Sequence, residues 1–133
     1  MLEGKRSLQC KRTIKLMINK ITSWLSLGVA YLSFGEKANY YFNTGSVGHG
    51  AYMVSYNSYT WHHTDPNLNS AYVTFSFAQG DTVSVTINPS TSRIIFEREG
   101  TPAYELPYEK ITGEQLFFCV SLSSHEESVS ILK

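Results

Sequence analysis

Residues 71–96 read AYVTFSFAQGDTVSVTINPSTSRIIF, and three runs in this stretch decide the fold class. Val73, Phe75 and Phe77 alternate with Thr74 and Ser76. After Gln79-Gly80-Asp81, Val83, Val85 and Ile87 alternate with Thr82, Ser84 and Thr86. Ile94 and Phe96 share a face in the third run. A period of two in β-branched and aromatic residues marks strands with one buried face. Gly80-Asp81 supplies one turn, and Pro89 presets φ for the next. The expectation is three successive strands in one antiparallel meander, with the rest of the chain covering it.

Working outward, Ile14, Leu16 and Ile18 alternate with Lys15, Met17 and Asn19 as a strand, although an amphipathic helix over residues 11–21 competes. In WLSLGVAYLSF, residues 24–34, Leu25, Leu27, Val29 and Tyr31 share one face, while Ser26, Gly28 and Ala30 share the other. A face of small residues lets a second layer approach closely, which predicts a central strand covered on both sides. Residues 52–56 and 59–63 read as a hairpin about Asn57-Ser58. Further strands are expected at 104–106, at the apolar run 116–122 and at 128–132, where Val129 and Ile131 face inward. The pattern predicts an all-β antiparallel two-sheet sandwich of about ten short strands. Trp24, Phe75 and Phe117 are expected in its core. Residues 1–12, rich in Lys and Arg, read as a loose leader, and 13–133 as the single domain.

The 133 residues carry 11 Lys or Arg against 11 Asp or Glu, so net charge directs the chain to neither nucleic acid nor membrane. Lys5, Arg6, Lys11, Arg12, Lys15 and Lys20 crowd the beginning, but no nucleic-acid motif accompanies them. Two cysteines far apart, Cys10 and Cys119, fit a reducing compartment and a cytoplasmic setting. No apolar run reaches membrane-spanning length.

These residues, in order, resemble the SPRY (B30.2-like) domain family, in the style of its protist members. Residues 15–31 match an early strand pair ending in W-x-x-x-G-V, here Trp24 to Gly28-Val29. Residues 80–96 match the G-D-x-V strand and its hairpin. Tyr59-Thr60-Trp61 fits the family's aromatic strand. Residues 116–132 match a closing pair with V-S-L and V-x-I. The resemblance spans residues 13–132. Arg98-Glu99-Gly100 stands where many members have Lys-Asn-Gly. The family also has strands before Thr13, so its first edge strand is expected to be absent or formed differently here.

The resemblance implies a protein-interaction module that binds a peptide or partner surface through rim loops, in a ubiquitin-ligase or signalling assembly, without cofactor or catalysis. By position, the family's binding loops fall on Glu36, Lys37, Asn39, Tyr40 and Tyr41, on His49 and Tyr52, and on Ser123, Ser124, His125 and Glu126. Residues 35–50 are long for a loop, and their mix of aromatics with Gly, Ser and Asn is that of a recognition surface. Tyr40, Tyr41 and Phe42 could equally fold back as a satellite core.

Other chemistries are less well supplied. His62-His63 with Asp65 suggests a metal cluster, but neighbours on a strand point to opposite faces. One of the two is expected at the core boundary and the other in solvent. His49 and His125 are expected to be free to meet a partner and to weaken binding at low pH. Glu97 and Glu99 have the spacing of glycosidase carboxylates but sit at a turn. Cys119 lies in an apolar run, and no nucleophile elbow or phosphate loop is present. Carbohydrate binding by aromatic stacking is the alternative, to be judged by Trp61: exposed on a concave face it favours sugar, buried between sheets it favours protein.

Overall fold

The computed structural model describes residues 10–37, 45–123 and 126–132. Two five-stranded antiparallel sheets face each other. The first pairs, in order, residues 128–132, 12–20, 82–88, 93–98 and 101–107, and the second residues 71–72, 59–62, 51–55, 25–31 and 116–122. In chain order the strands are β1 (Arg12–Lys20), β2 (Leu25–Tyr31), β3 (Ala51–Ser55), β4 (Tyr59–His62), β5 (Ala71–Tyr72), β6 (Thr82–Asn88), β7 (Arg93–Arg98), β8 (Thr101–Pro107), β9 (Leu116–Leu122) and β10 (Ser128–Leu132). A single helical turn, α1 (Leu32–Lys37), follows β2 and replaces the last residues of the expected strand.

The inward faces are the ones the alternation marks. Leu16, Ile18, Val83, Val85, Ile87, Ile94 and Phe96 of the first sheet meet Leu25, Leu27, Val29 and Tyr31 of the second. All seven residues of β2 are buried, because β3 and β9 flank it and Met53, Trp61 and Cys119 cover its small-residue face. A Cβ on Gly28 would come within 2.2 Å of the Tyr52 carbonyl on the paired strand β3, so the close approach at Gly28 is one within the sheet and not of a second layer.

Three expectations need correction. Residues 71–77 do not begin the meander. Only Ala71–Tyr72 pair, and they pair with β4 in the second sheet. The chain then crosses to the first sheet with Phe75 and Phe77 still buried and Phe75 tilted against Phe96 at 6.1 Å. The meander is instead β6–β7–β8. Alternation reports which side of an extended chain is buried, whereas pairing needs a free sheet edge. Second, Phe117 is 44% exposed, because Leu116 and Phe118 take the inward parity of β9. Third, Ile131 shares Val129's parity but is 64% exposed, lying at the end of the edge strand β10.

Candidate functional site

Strand register sorts the connections to two ends. Tyr31 pairs with Leu116 and Leu25 with Leu122, so opposite ends of β2 lie about 20 Å apart at the usual rise per residue. At one end, Ser23 and Trp24 meet Ser123 and Glu127. At the other gather the beginning of β1, the exit of β2, residues 48–50 and 62–69, the 89–92 turn and residues 107–116.

The Glu127 end is a clasp. Its buried carboxylate accepts backbone N–H groups from Thr22 at 3.2 Å, Ser23 at 2.7 Å and Trp24 at 2.7 Å through Oε2. Oε1 accepts from Ser123, N–H at 2.9 Å and hydroxyl at 2.8 Å. One charged group thereby ties the β1–β2 connection to the β9–β10 connection. Side chains that accept several backbone N–H groups serve in effect as caps for both turns.

The opposite end is held by rings. The Tyr31 hydroxyl donates to the Glu109 carbonyl and lies 3.1 Å from the Tyr52 hydroxyl, which anchors residues 108–109 to the second sheet. His62 donates from Nε2 to the Pro107 carbonyl at 2.7 Å, and its Nδ1 accepts N–H groups of Thr64 and Asp65 at 3.2 and 2.9 Å. His63 accepts the Gly50 N–H on Nδ1 at 2.8 Å. His49 accepts the Ala51 N–H on Nδ1 at 3.1 Å and donates from Nε2 to Asn69 at 2.8 Å. The same Asn69 oxygen takes the His62 backbone N–H at 3.0 Å, which settles its role as acceptor. All three rings therefore present an unprotonated Nδ1 to the backbone. Burial lowers all three pKa values from their ordinary range, with the neighbouring histidines adding to the effect for His49 and His63.

Beside these rings opens a cleft of about 600 Å³. Tyr31, Ile87, Tyr108 and Leu116 form its buried walls, and Ser90, Glu109, Lys110 and Gln115 its exposed rim. Arg12 enters from the inward face of β1, at the parity of Ile14, Leu16 and Ile18. Its Nη2 donates to the Leu116 carbonyl at 3.3 Å, and its guanidinium lies 6.0 Å from the Phe118 ring centre. Burial raises the Tyr108 pKa, and the nearby Arg12 charge acts in the opposite direction.

Those of the expected partner-binding residues that the structure describes do not form one rim. Glu36 and Lys37 lie in α1, which leaves the cleft end. Asn39, Tyr40, Tyr41, Ser124 and His125 lie outside the described residues, as does Phe42. Tyr52 is 0% and His49 5% exposed. They support the wall from within, because each ring is spent on hydrogen bonds that fix neighbouring backbone. Ser123 and Glu126 are exposed at the clasp end, across the length of β2 from the other residues. His62 and His63 are both buried, which corrects the expectation that one faces solvent. The ring nitrogens of His62 are both engaged in hydrogen bonds. Among the described residues no cluster of three or more His, Cys, Asp or Glu is arranged for a metal ion.

Trp61 lies between neither alternative: it is half-buried on the outer face of the second sheet, edge-on to Trp24 at 6.4 Å. Glu97 and Glu99 are exposed, and the register shift at Arg98 breaks their shared parity. Burial pushes the Cys119 thiol up to about 11. Among the described residues no helix is long and apolar enough to cross a membrane. Sequence reasoning missed Arg12, Tyr108 and Glu127. The signal for Arg12 was present: it continues the inward parity of β1, where a cation is out of place.

The fold is that of a solved structure titled "Crystal structure of the SPRY domain of human HERC1", with a TM-score of 0.65 at 17% identity, over 91% of this chain and 73% of that one. At that identity the likeness is one of fold. No protein-family model and no curated protein sequence matches the chain.

Proposed function

We propose that this chain is a protein-recognition module that seats a short segment of a partner polypeptide in the cleft between the 89–92 turn and residues 107–116. The observation that carries this reading is the cleft itself: about 600 Å³, walled by tyrosines and aliphatic side chains, with a few polar groups at its rim. Binding sites have this make-up, a mostly apolar concavity with a few placed polar groups. The likeness of fold to a SPRY domain supports it. Glu36, Lys37, Asn39, Tyr40 and Tyr41 belong to the segment that leaves β2 at this end, and we assign them to the outer part of the same contact. Ser123, Ser124, His125 and Glu126 would serve a separate contact at the clasp end. The chain acts by binding, without bond-making chemistry or cofactor, in a cytoplasmic setting such as a ubiquitin-ligase or signalling assembly.

Selection from a random twelve-residue display library tests this. Bound peptides should lose at least tenfold in affinity to Gln115→Trp, which fills the cleft from an exposed rim position, while the melting temperature stays unchanged. Peptides indifferent to Gln115→Trp but lost on Ser123→Arg would move the site to the clasp end and overturn the assignment.

A further inference from the structure

Arg12, which lines the cleft, is a cation that the fold leaves incompletely answered. Arg12 Nε is shut off from solvent and has no hydrogen-bond acceptor, the single such side-chain nitrogen or oxygen among the described residues. Buried N–H groups without an acceptor cost stability, and most native structures avoid them. Arg12 also has no carboxylate partner among the described residues. The ion pair present among the described residues is Arg98 with Asp81, at 3.8 Å. Its remaining contacts are weak for a guanidinium, a 3.3 Å bond to a carbonyl and the face of Phe118. Tyr108 lines the same cleft, near enough to feel the Arg12 charge, and its hydroxyl has no hydrogen-bond partner among the described residues. With Nε sealed off, what the cleft can reach is the terminal edge of the guanidinium, where Nη2 has one carbonyl and Nη1 no acceptor among the described residues. With the Tyr108 hydroxyl this edge makes a set of donors short of acceptors.

We infer that the cleft takes one carboxylate of the partner polypeptide, gripped by the Arg12 guanidinium with the Tyr108 hydroxyl beside it. The inference rests on the recognition function proposed above and names the group recognised. Arginine pairs with carboxylate in a forked geometry that lysine does not reproduce. Charge balance selects a singly charged group. Arg12 and Lys110 line the cleft, and so do Glu109 and Glu114. Glu114 accepts a hydrogen bond from the Ser33 hydroxyl at 2.6 Å, and Glu109 is exposed at the rim, so neither answers Arg12. A doubly charged phosphate would meet both of these carboxylates with one cation committed to it. A carboxylate, which brings one charge and a flat pair of acceptor atoms, matches the buried end. Its source is either a chain terminus or an acidic side chain, and the two differ in what lies next to the carboxylate.

The test uses the full chain, labelled with nitrogen-15, and four small probes. Acetyl-phenylalanine carries a terminal carboxylate, and acetyl-phenylalanyl-glutamate amide a side-chain carboxylate. Acetyl-phenylalanine amide and acetyl-phenylalanyl-glutamine amide are their neutral counterparts. At least one acid should shift the amide signals of Ser90, Tyr108, Ile111 and Leu116 at about one-tenth the concentration its neutral counterpart needs. Whichever acid does so identifies the source. Arg12→Gln should bring that ratio to one, and Arg12→Lys should leave only a few-fold preference. Tyr108→Phe, which keeps the ring and its packing, should reduce the preference a few-fold, and it decides the matter if the Arg12 variants fail to fold. Acids and neutral probes shifting the same amides at equal concentration would overturn the inference and leave peptide recognition standing. A preference for acid that survives Arg12→Gln would overturn it as well. If no probe moves a cleft amide, both the inference and the recognition function fall.

Discussion

Each end of this sandwich turns a charged side chain inward, Glu127 buried and Arg12 half-buried, and the two differ in how the charge is answered. Glu127 lies among backbone N–H groups from two connections and hydroxyls from three residues, all within 3.3 Å. Arg12, half-buried at the far end of the core, has one nitrogen sealed off and, among the described residues, no carboxylate to meet it. Desolvating a charge costs several kcal/mol unless hydrogen bonds replace the lost water. Glu127 meets that condition within the chain, so its role is complete when the chain folds. Arg12 does not, and an incompletely answered charge beside a cleft is where a second molecule has something to contribute.

The largest expected effect tests the clasp. Glu127→Ala should destabilise by about 3–5 kcal/mol, because it strands buried N–H groups in both connections. Urea denaturation would register this as a large fall in midpoint. A loss below about 1 kcal/mol would mean water reaches these groups and the end is not closed. Next comes Gly50→Ala. Gly50 has φ of +92°, and an added Cβ would fall 2.1 Å from Phe34 Cβ. The residue sits where the Tyr31 N–H and the His63 ring both meet its backbone. A cost of about 1–3 kcal/mol is expected, with weaker peptide binding, since the strain falls at the cleft end.

Acid should act on one end before the other. The unfolded histidines titrate near 6.5, and burial depresses all three in the folded chain. Below that value the unfolded state binds more protons, so this contribution to stability is whole above pH 6.5 and is lost as pH falls through the depressed folded values. Asn69, the Pro107 carbonyl, Asp65 and Glu109 partly oppose the depression. Protonation at Nδ1 also forfeits the backbone bonds at residues 50, 51, 64 and 65. Hydrogen exchange at pH 5.5 should therefore speed up at these amides while those of Ser23 and Trp24 hold. Equal acceleration at both ends would erase the distinction. The smallest effect belongs to the rim. Lys110→Ala and Gln115→Ala should change stability by no more than about 0.5 kcal/mol, measured by thermal melting.

Much of the fold was legible because burial follows parity. Ile14, Leu16 and Ile18, the small face of β2, and Val83, Val85 and Ile87 all lie where a period of two puts them. The site was less legible. The family resemblance places Tyr52 and His49 in a binding loop, yet both are consumed in supporting the wall. Arg12 looks like part of a solvated basic leader, and only its parity with Ile14 marks it as inward. The resemblance places Ser123 and Glu36 in one set of binding loops, whereas the register of β2 with β9 puts them at opposite ends.

The sequence alone thus determined the fold class, the faces of the strands and most of the core, since alternation is a local property of an extended chain. The tertiary structure decided which edges pair, how Val73 to Asp81 cross between the sheets, and which loops share an end. It also decided that one inward-facing charge is fully answered and the other, among the described residues, only in part. Those depend on contacts between residues up to about a hundred positions apart (Arg12 and Leu116 are 104 apart), and no local pattern encodes what such partners will meet.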